Sequence, residues 1–173
     1  MEVLRKFCEG VGRTSVWTGR VVSFLLPALI ISIVYEVFSR YVFNSPTIWS
    51  FTISYMMGTV IIALGMCYLH QERGNVRVDL FYNHFPRKVQ LGLDIGLTAL
   101  LFFPLTLMLT RVWVLDAWHA FVVGEVPVTG IFYPPLWPMK AAVTIGFALL
   151  FIQGVANFIK DVASLAKGGE EPW

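Results

Sequence analysis

Residues 41–71 read YVFNSPTIWSFTISYMMGTVIIALGMCYLHQ, a stretch of 31 residues with no Asp, Glu, Lys or Arg. Asn44, Ser45 and Pro46 carry turn chemistry, so the helix proper is expected over 48–69. At about 1.5 Å rise per residue, roughly 20 apolar residues cross a ~30 Å hydrocarbon core. A soluble helix of this length would show a polar stripe, and this stretch shows none. It reads as a membrane span.

Working outward, three more apolar runs reach the same length. They are expected over 21–39, 89–110 and 136–159. Pro27 sits about two turns into the first, where a membrane helix tolerates it with a kink. The fold class is therefore an all-α membrane protein with four transmembrane helices in a single domain. The composition agrees: 57% of the 173 residues are hydrophobic, the mean hydropathy is +0.69, and 14% are charged. Soluble domains average roughly a quarter charged. The net charge of +2, with no basic tract, argues against a nucleic-acid partner. Cys8 and Cys67 form no metal or redox spacing, and Cys67 reads as packing. Arg5, Lys6, Arg13 and Arg20 ahead of an apolar run superficially resemble a signal peptide. The run continues through Val37 and Phe38 without an A-x-A site, so an uncleaved first span is expected.

The basic residues orient the chain. Segments 1–20, 71–88 and 160–173 share one side and hold ten of the thirteen Lys and Arg. The other side has Arg40, Arg111 and Lys140, all at helix ends. The positive-inside rule then predicts both termini in the cytoplasm. The outer segment 112–135 is rich in aromatic and proline residues, among them Trp113, Trp118, Phe121, Phe132, Tyr133, Pro134 and Pro135. Its first part is expected to continue helix three, and the rest to form an interfacial aromatic loop ahead of Trp137.

Polar groups inside apolar spans are costly and draw attention. Glu36 and Arg40, spaced i, i+4, are expected to pair on one face near the outer end of helix one. Asp94 lies about one turn into helix three without a second acidic residue at mid-depth, which suits a structural partner better than ion transport. His70, His84 and His119 all fall at or beyond helix ends, which excludes a bundle-centred haem. No nucleophile, phosphate-binding or zinc motif is present, so neither an enzyme nor a cofactor is expected. Gly92 and Gly96 form a G-x-x-x-G step, and Gly58 and Gly65 share a face of helix two. These glycines are expected at helix–helix contacts.

Three segments carry a family resemblance: RYVFNSPTIW at 40–49, NVRVDLFYNHFP at 75–86, and VPVTGIFYPPLWP at 126–138. In this order and at this length the chain resembles the DctQ-like small membrane subunit of tripartite ATP-independent periplasmic (TRAP) transporters. The resemblance implies a non-catalytic scaffold in a bacterial or archaeal inner membrane. It implies pairing with a large permease subunit that carries the substrate and ion sites. It also implies a periplasmic binding protein that delivers a solute, often a carboxylate, for ion-driven uptake. By motif position Arg40, Tyr41, Asn44, Pro46 and Trp49 match the family's first loop. Arg77, Asp79 and Pro86 match its cytoplasmic loop, and Pro135 and Trp137 match the start of its last helix. Of these, Arg40, Tyr41, Trp49, Arg77, Asp79, Pro135 and Trp137, together with Gly92 and Gly96, are the expected partner-interface residues, with membrane lipids as the other neighbour. Many members carry an acidic residue shortly after the tryptophan, whereas Ser50, Phe51 and Thr52 follow Trp49 here. The competing expectation is a self-associating four-span scaffold or small channel.

Overall fold

The computed structural model describes residues 2–72, 87–128 and 131–166. Among them every regular element is helical, and four helices are long and apolar enough to cross a membrane. Helix α1 spans Glu2–Tyr41 and α2 spans Ser50–Gln71. The third span is composite: α3 over Arg87–Leu97, a π-helical turn over Thr98–Phe102, and α4 over Phe103–Val123. Helix α5 spans Trp137–Ala166.

Each helix overruns or meets the apolar run that announced it. Nothing between Glu2 and Arg20 breaks a helix, so α1 starts well before the apolar run at 21 and extends to 40 residues, about 60 Å. Pro27 lies inside it without ending it. The π turn has a local cause. Pro104 offers no N–H to the carbonyl one turn back, and the backbone absorbs this with a wide turn closed by Phe103 N–H donating to Thr98. Helix α4 then runs on to Val123, carrying helix through the first part of the aromatic segment. Gly124 stops it with φ +68°, the left-handed conformation glycine adopts freely.

Packing is unequal. Helix α5 is the hub, touching α1, α2 and both parts of the third span, while α1 and α2 pack on each other. The third span leans on α5. A third of the most apolar window of α5 is buried inside the chain, against 6% for α1. Close approach comes from glycines that the sequence pattern did not single out. A Cβ at Gly146 would stand 2.5 Å from the Ala63 carbonyl oxygen, and one at Gly19 would stand 2.6 Å from the Tyr68 ring. Gly154 receives the Phe102 ring of the π turn. By contrast, among the described residues an added Cβ at Gly58, Gly65, Gly92 or Gly96 would meet nothing within 4 Å. Among the described residues these four therefore join no helices of this chain, which leaves their faces open to another neighbour. Spacing identifies a small-residue face but not what covers it.

Candidate partner interface

At the end of the bundle that holds Trp49 and Trp137, two charged ties fix the connectors. The first joins α1 to α2. Asn44 takes φ +49°, and Ser39 Oγ donates to the Ser45 carbonyl at 2.6 Å, turning the chain back on itself. The Glu36 carboxylate accepts from Arg40 Nη2 at 2.6 Å on one oxygen. Its other oxygen takes the Thr47 N–H at 3.0 Å and the Thr47 hydroxyl. The i, i+4 pair expected from the sequence is thus present, and it also clamps the connector. Tyr35 stacks on Trp49 at 6.0 Å beside this clamp.

The second tie centres on Lys140, one turn into α5 and buried. Its Nζ lies 2.9 Å from Asp116 Oδ2 of α4 and 2.7 Å from Glu125 Oε2 of the connector. The Leu136 N–H donates to the Glu125 carbonyl at 3.0 Å, closing the loop between α4 and α5. Thr144 Oγ1 donates to the Trp113 carbonyl at 3.0 Å, one turn deeper. On the outside of this frame Trp118, Phe121 and Trp137 form an exposed aromatic ledge. Phe121 meets Trp137 edge-to-face at 5.6 Å.

Toward the opposite end lies a buried polar layer. Gln153 of α5 is fully buried; it accepts from Ser15 Oγ at 2.8 Å and donates to Asn157 Oδ1 and Gln71. Ser15 also contacts Cys67 Sγ at 3.0 Å, and Asn157 donates to the His70 carbonyl at 3.0 Å. Cys67 is therefore packed, as its apolar setting suggested. These bonds join α1, α2 and α5 across one level. Among the described residues no buried side-chain nitrogen or oxygen lacks a partner, and no group of His, Cys, Asp or Glu could hold a metal. Chemically, the arrangement locks helices together and presents surfaces.

The expected interface residues do not converge on one spot. Arg40 and Tyr41 end α1 and Trp49 caps the start of α2, on either side of the first connector, with Tyr41 80% exposed. Pro135 sits on the second connector and Trp137 opens α5. Gly92 and Gly96 lie at the far end, on the open face of α3, with Asp94 half-buried between them. Arg77, Asp79 and Pro86 lie outside the described residues. Thr47, Asp116, Glu125, Lys140, Ser15 and Gln153 hold the two ends together, and the expected interface set contains none of them. The signals were present but distant: Glu125 and Lys140 are 15 residues apart, and Ser15 and Gln153 are 138 apart.

Comparison with known families resolves what this scaffold is. Residues 29–164 match the family described as tripartite ATP-independent periplasmic transporters, DctQ component. The chain belongs to the DctQ family. The match runs from the middle of α1 almost to the end of α5, so all four helices fall within it at least in part. No curated protein matches the chain. As a DctQ component it is a multi-pass membrane subunit of a TRAP transporter, from a family of generally non-catalytic members. The two connector ties and the buried polar layer therefore belong to a transporter's membrane part.

Proposed function

We propose that this DctQ chain is the static small membrane subunit of a TRAP-type secondary transporter, paired with a large permease subunit. In this reading both termini lie in the cytoplasm of a bacterial or archaeal inner membrane. The Trp49/Trp137 end faces the periplasm, where a binding protein delivers a solute, an organic acid by family habit. The solute and its coupling ion cross through the large subunit. The observation that carries the reading is the low self-burial of the apolar spans, 6% for the first and 33% even for the hub. Such helices present faces to something other than their own chain. The polar groups, meanwhile, are spent on locking helices and connectors.

Co-expression with the large subunit tests this. The two should purify together, and deleting the small chain should abolish solute uptake in whole cells. Uptake that proceeds unimpaired without it refutes the assignment. The open Gly92/Gly96 face also suits a second copy of the chain. Cysteines placed at Leu93 or Leu97, both exposed, separate the two cases. A crosslinked homodimer with no larger partner supports self-association.

A further inference from the structure

The face of α1 turned away from the bundle has an ordered sequence of side chains. Cys8, Ser15, Thr18 and Val22 are buried against α2 and α5. At 100° per residue, Lys6, Arg13, Trp17 and Arg20 project from the opposite side. All four are exposed, Trp17 by 67%. Continuing along the same face come Phe24, Ile31 and Phe38, also exposed. One helix face thus passes from Lys6 and Arg13, with the exposed Glu2 and Glu9 at its edge, past the Trp17 indole and Arg20, to bare hydrocarbon. Among the described residues none of the three cations takes part in an ion pair.

Register with the other helices sets the level of this stripe. Ser15 bonds to Gln153 and touches Cys67, and Gly19 abuts Tyr68. Cys67 and Tyr68 belong to the uncharged stretch 41–71, and Gln153 to the uncharged stretch 141–159. Arg13, Trp17 and Arg20 therefore run beside helices that are polar at the Gln71–Gln153 layer but still uncharged, on a surface that the described residues leave uncovered. A guanidinium there must reach the phosphate layer by extending its stem, while the indole sits at the boundary.

We infer that the Lys6–Arg13–Trp17–Arg20 face of α1 is a docking surface for anionic phospholipid headgroups in the leaflet at the N-terminal end. The cations meet the phosphates, and the Phe24–Ile31 continuation lies along the acyl chains. Charge complementarity selects the anionic headgroup over a zwitterionic one, by a factor of about five for each basic residue at the surface. Only the membrane-spanning helices are needed for this, not the identity of the protein partner.

The full-length chain is reconstituted in phosphatidylcholine–phosphatidylglycerol vesicles, with one lipid or the other brominated near the headgroup end of its acyl chains. Subtracting the fluorescence of Trp17→Phe from that of wild type isolates Trp17. Brominated phosphatidylglycerol should quench Trp17 at least about threefold more than brominated phosphatidylcholine at equal mole fraction. Half-molar salt, or Arg13→Gln/Arg20→Gln, should erase that preference, whereas Arg111→Gln at the other end should leave it intact. Equal quenching by both lipids in wild type overturns the inference. So does quenching by neither, or loss of quenching when the large subunit is co-reconstituted, because the face then belongs to protein. None of these outcomes bears on co-purification with the large subunit, so lipid docking and the proposed function fail separately.

Discussion

Lys140 and Gln153 show how differently charge and polarity stabilise the two ends of this chain. The Lys140 ammonium is buried between two carboxylates, Asp116 at 2.9 Å and Glu125 at 2.7 Å, both partly exposed. Replacing it with Met keeps the stem but leaves two carboxylates facing each other without their counter-ion. Because both carboxylates can still reach water, the cost should be about 1–3 kcal/mol rather than the larger penalty of a fully buried broken pair. Lys140→Met should lower the thermal unfolding midpoint in detergent and speed chymotryptic cleavage in the 124–136 connector. An unchanged midpoint and an unchanged cleavage rate would mean that the tie does not anchor the loop. Gln153→Leu removes bonds to Ser15, Asn157 and Gln71 at once. Interhelical hydrogen bonds in membranes are worth about 0.6–1.7 kcal/mol, so a loss of about 1–2 kcal/mol is expected in a denaturation series in sodium dodecyl sulfate. Stability equal to wild type would reduce the layer to a packing detail. At this scale the sequence revealed one tie of three. Glu36 and Arg40 are four apart on a helix, and that periodicity can be read directly. Thr47, Glu125 and Ser15 reach their partners through tertiary folding, which spacing does not encode.

The helices themselves were legible as membrane spans, because an unbroken apolar run of some 20 residues (roughly the bilayer's own thickness) fits little besides hydrocarbon. Their ends were not legible. Charge ends a membrane crossing but does not end a helix, so the Arg- and Lys-bearing residues ahead of 21 simply continue α1. Helix α4 likewise passes through Arg111 and Asp116 until Gly124 stops it. The glycines divide in the same way. Gly146 and Gly154 are eight apart on α5, outside any G-x-x-x-G step, yet they admit α2 and the third span. The Gly154 contact makes a sharp prediction about an element. An added Cβ there would collide with Phe102 Cε1, and that ring already stacks on His70 at 4.9 Å, so it has little room to retreat. Gly154→Leu should push the third span off α5 and cost about 1–3 kcal/mol by overpacking. Double electron–electron resonance between labels on Leu107 and Ile152 should then show a longer and broader distance distribution. An unshifted distribution would show that the π turn absorbs the insertion without moving the span.

Across the whole molecule, α5 holds α1, α2 and the third span, and the apolar faces left over look alike in sequence. A soluble bundle announces its outside with charge, but in a membrane the face toward lipid, toward a partner and toward its own chain can all be Leu, Ile and Phe. That is why four spans could be read and their neighbours could not. Small residues offer a way to tell these faces apart, because a substitution into open space is neutral for the chain and harmful to whatever docks there. Among the described residues, nothing of their own chain lies within 4 Å of a Cβ added at Gly92 or Gly96, and α3 packs chiefly on α5. Gly92→Leu/Gly96→Leu should therefore leave the isolated chain's unfolding midpoint unchanged or slightly raised, since leucine favours helix by about 1 kcal/mol per glycine replaced. If this face receives the large subunit, the same double variant should cut its co-purification severalfold, while Gly58→Leu on α2, also into open space, serves as the comparison. Full recovery of the large subunit with the double variant would move the docking face away from α3. A lowered midpoint in the isolated chain would show that the face is already occupied within the fold.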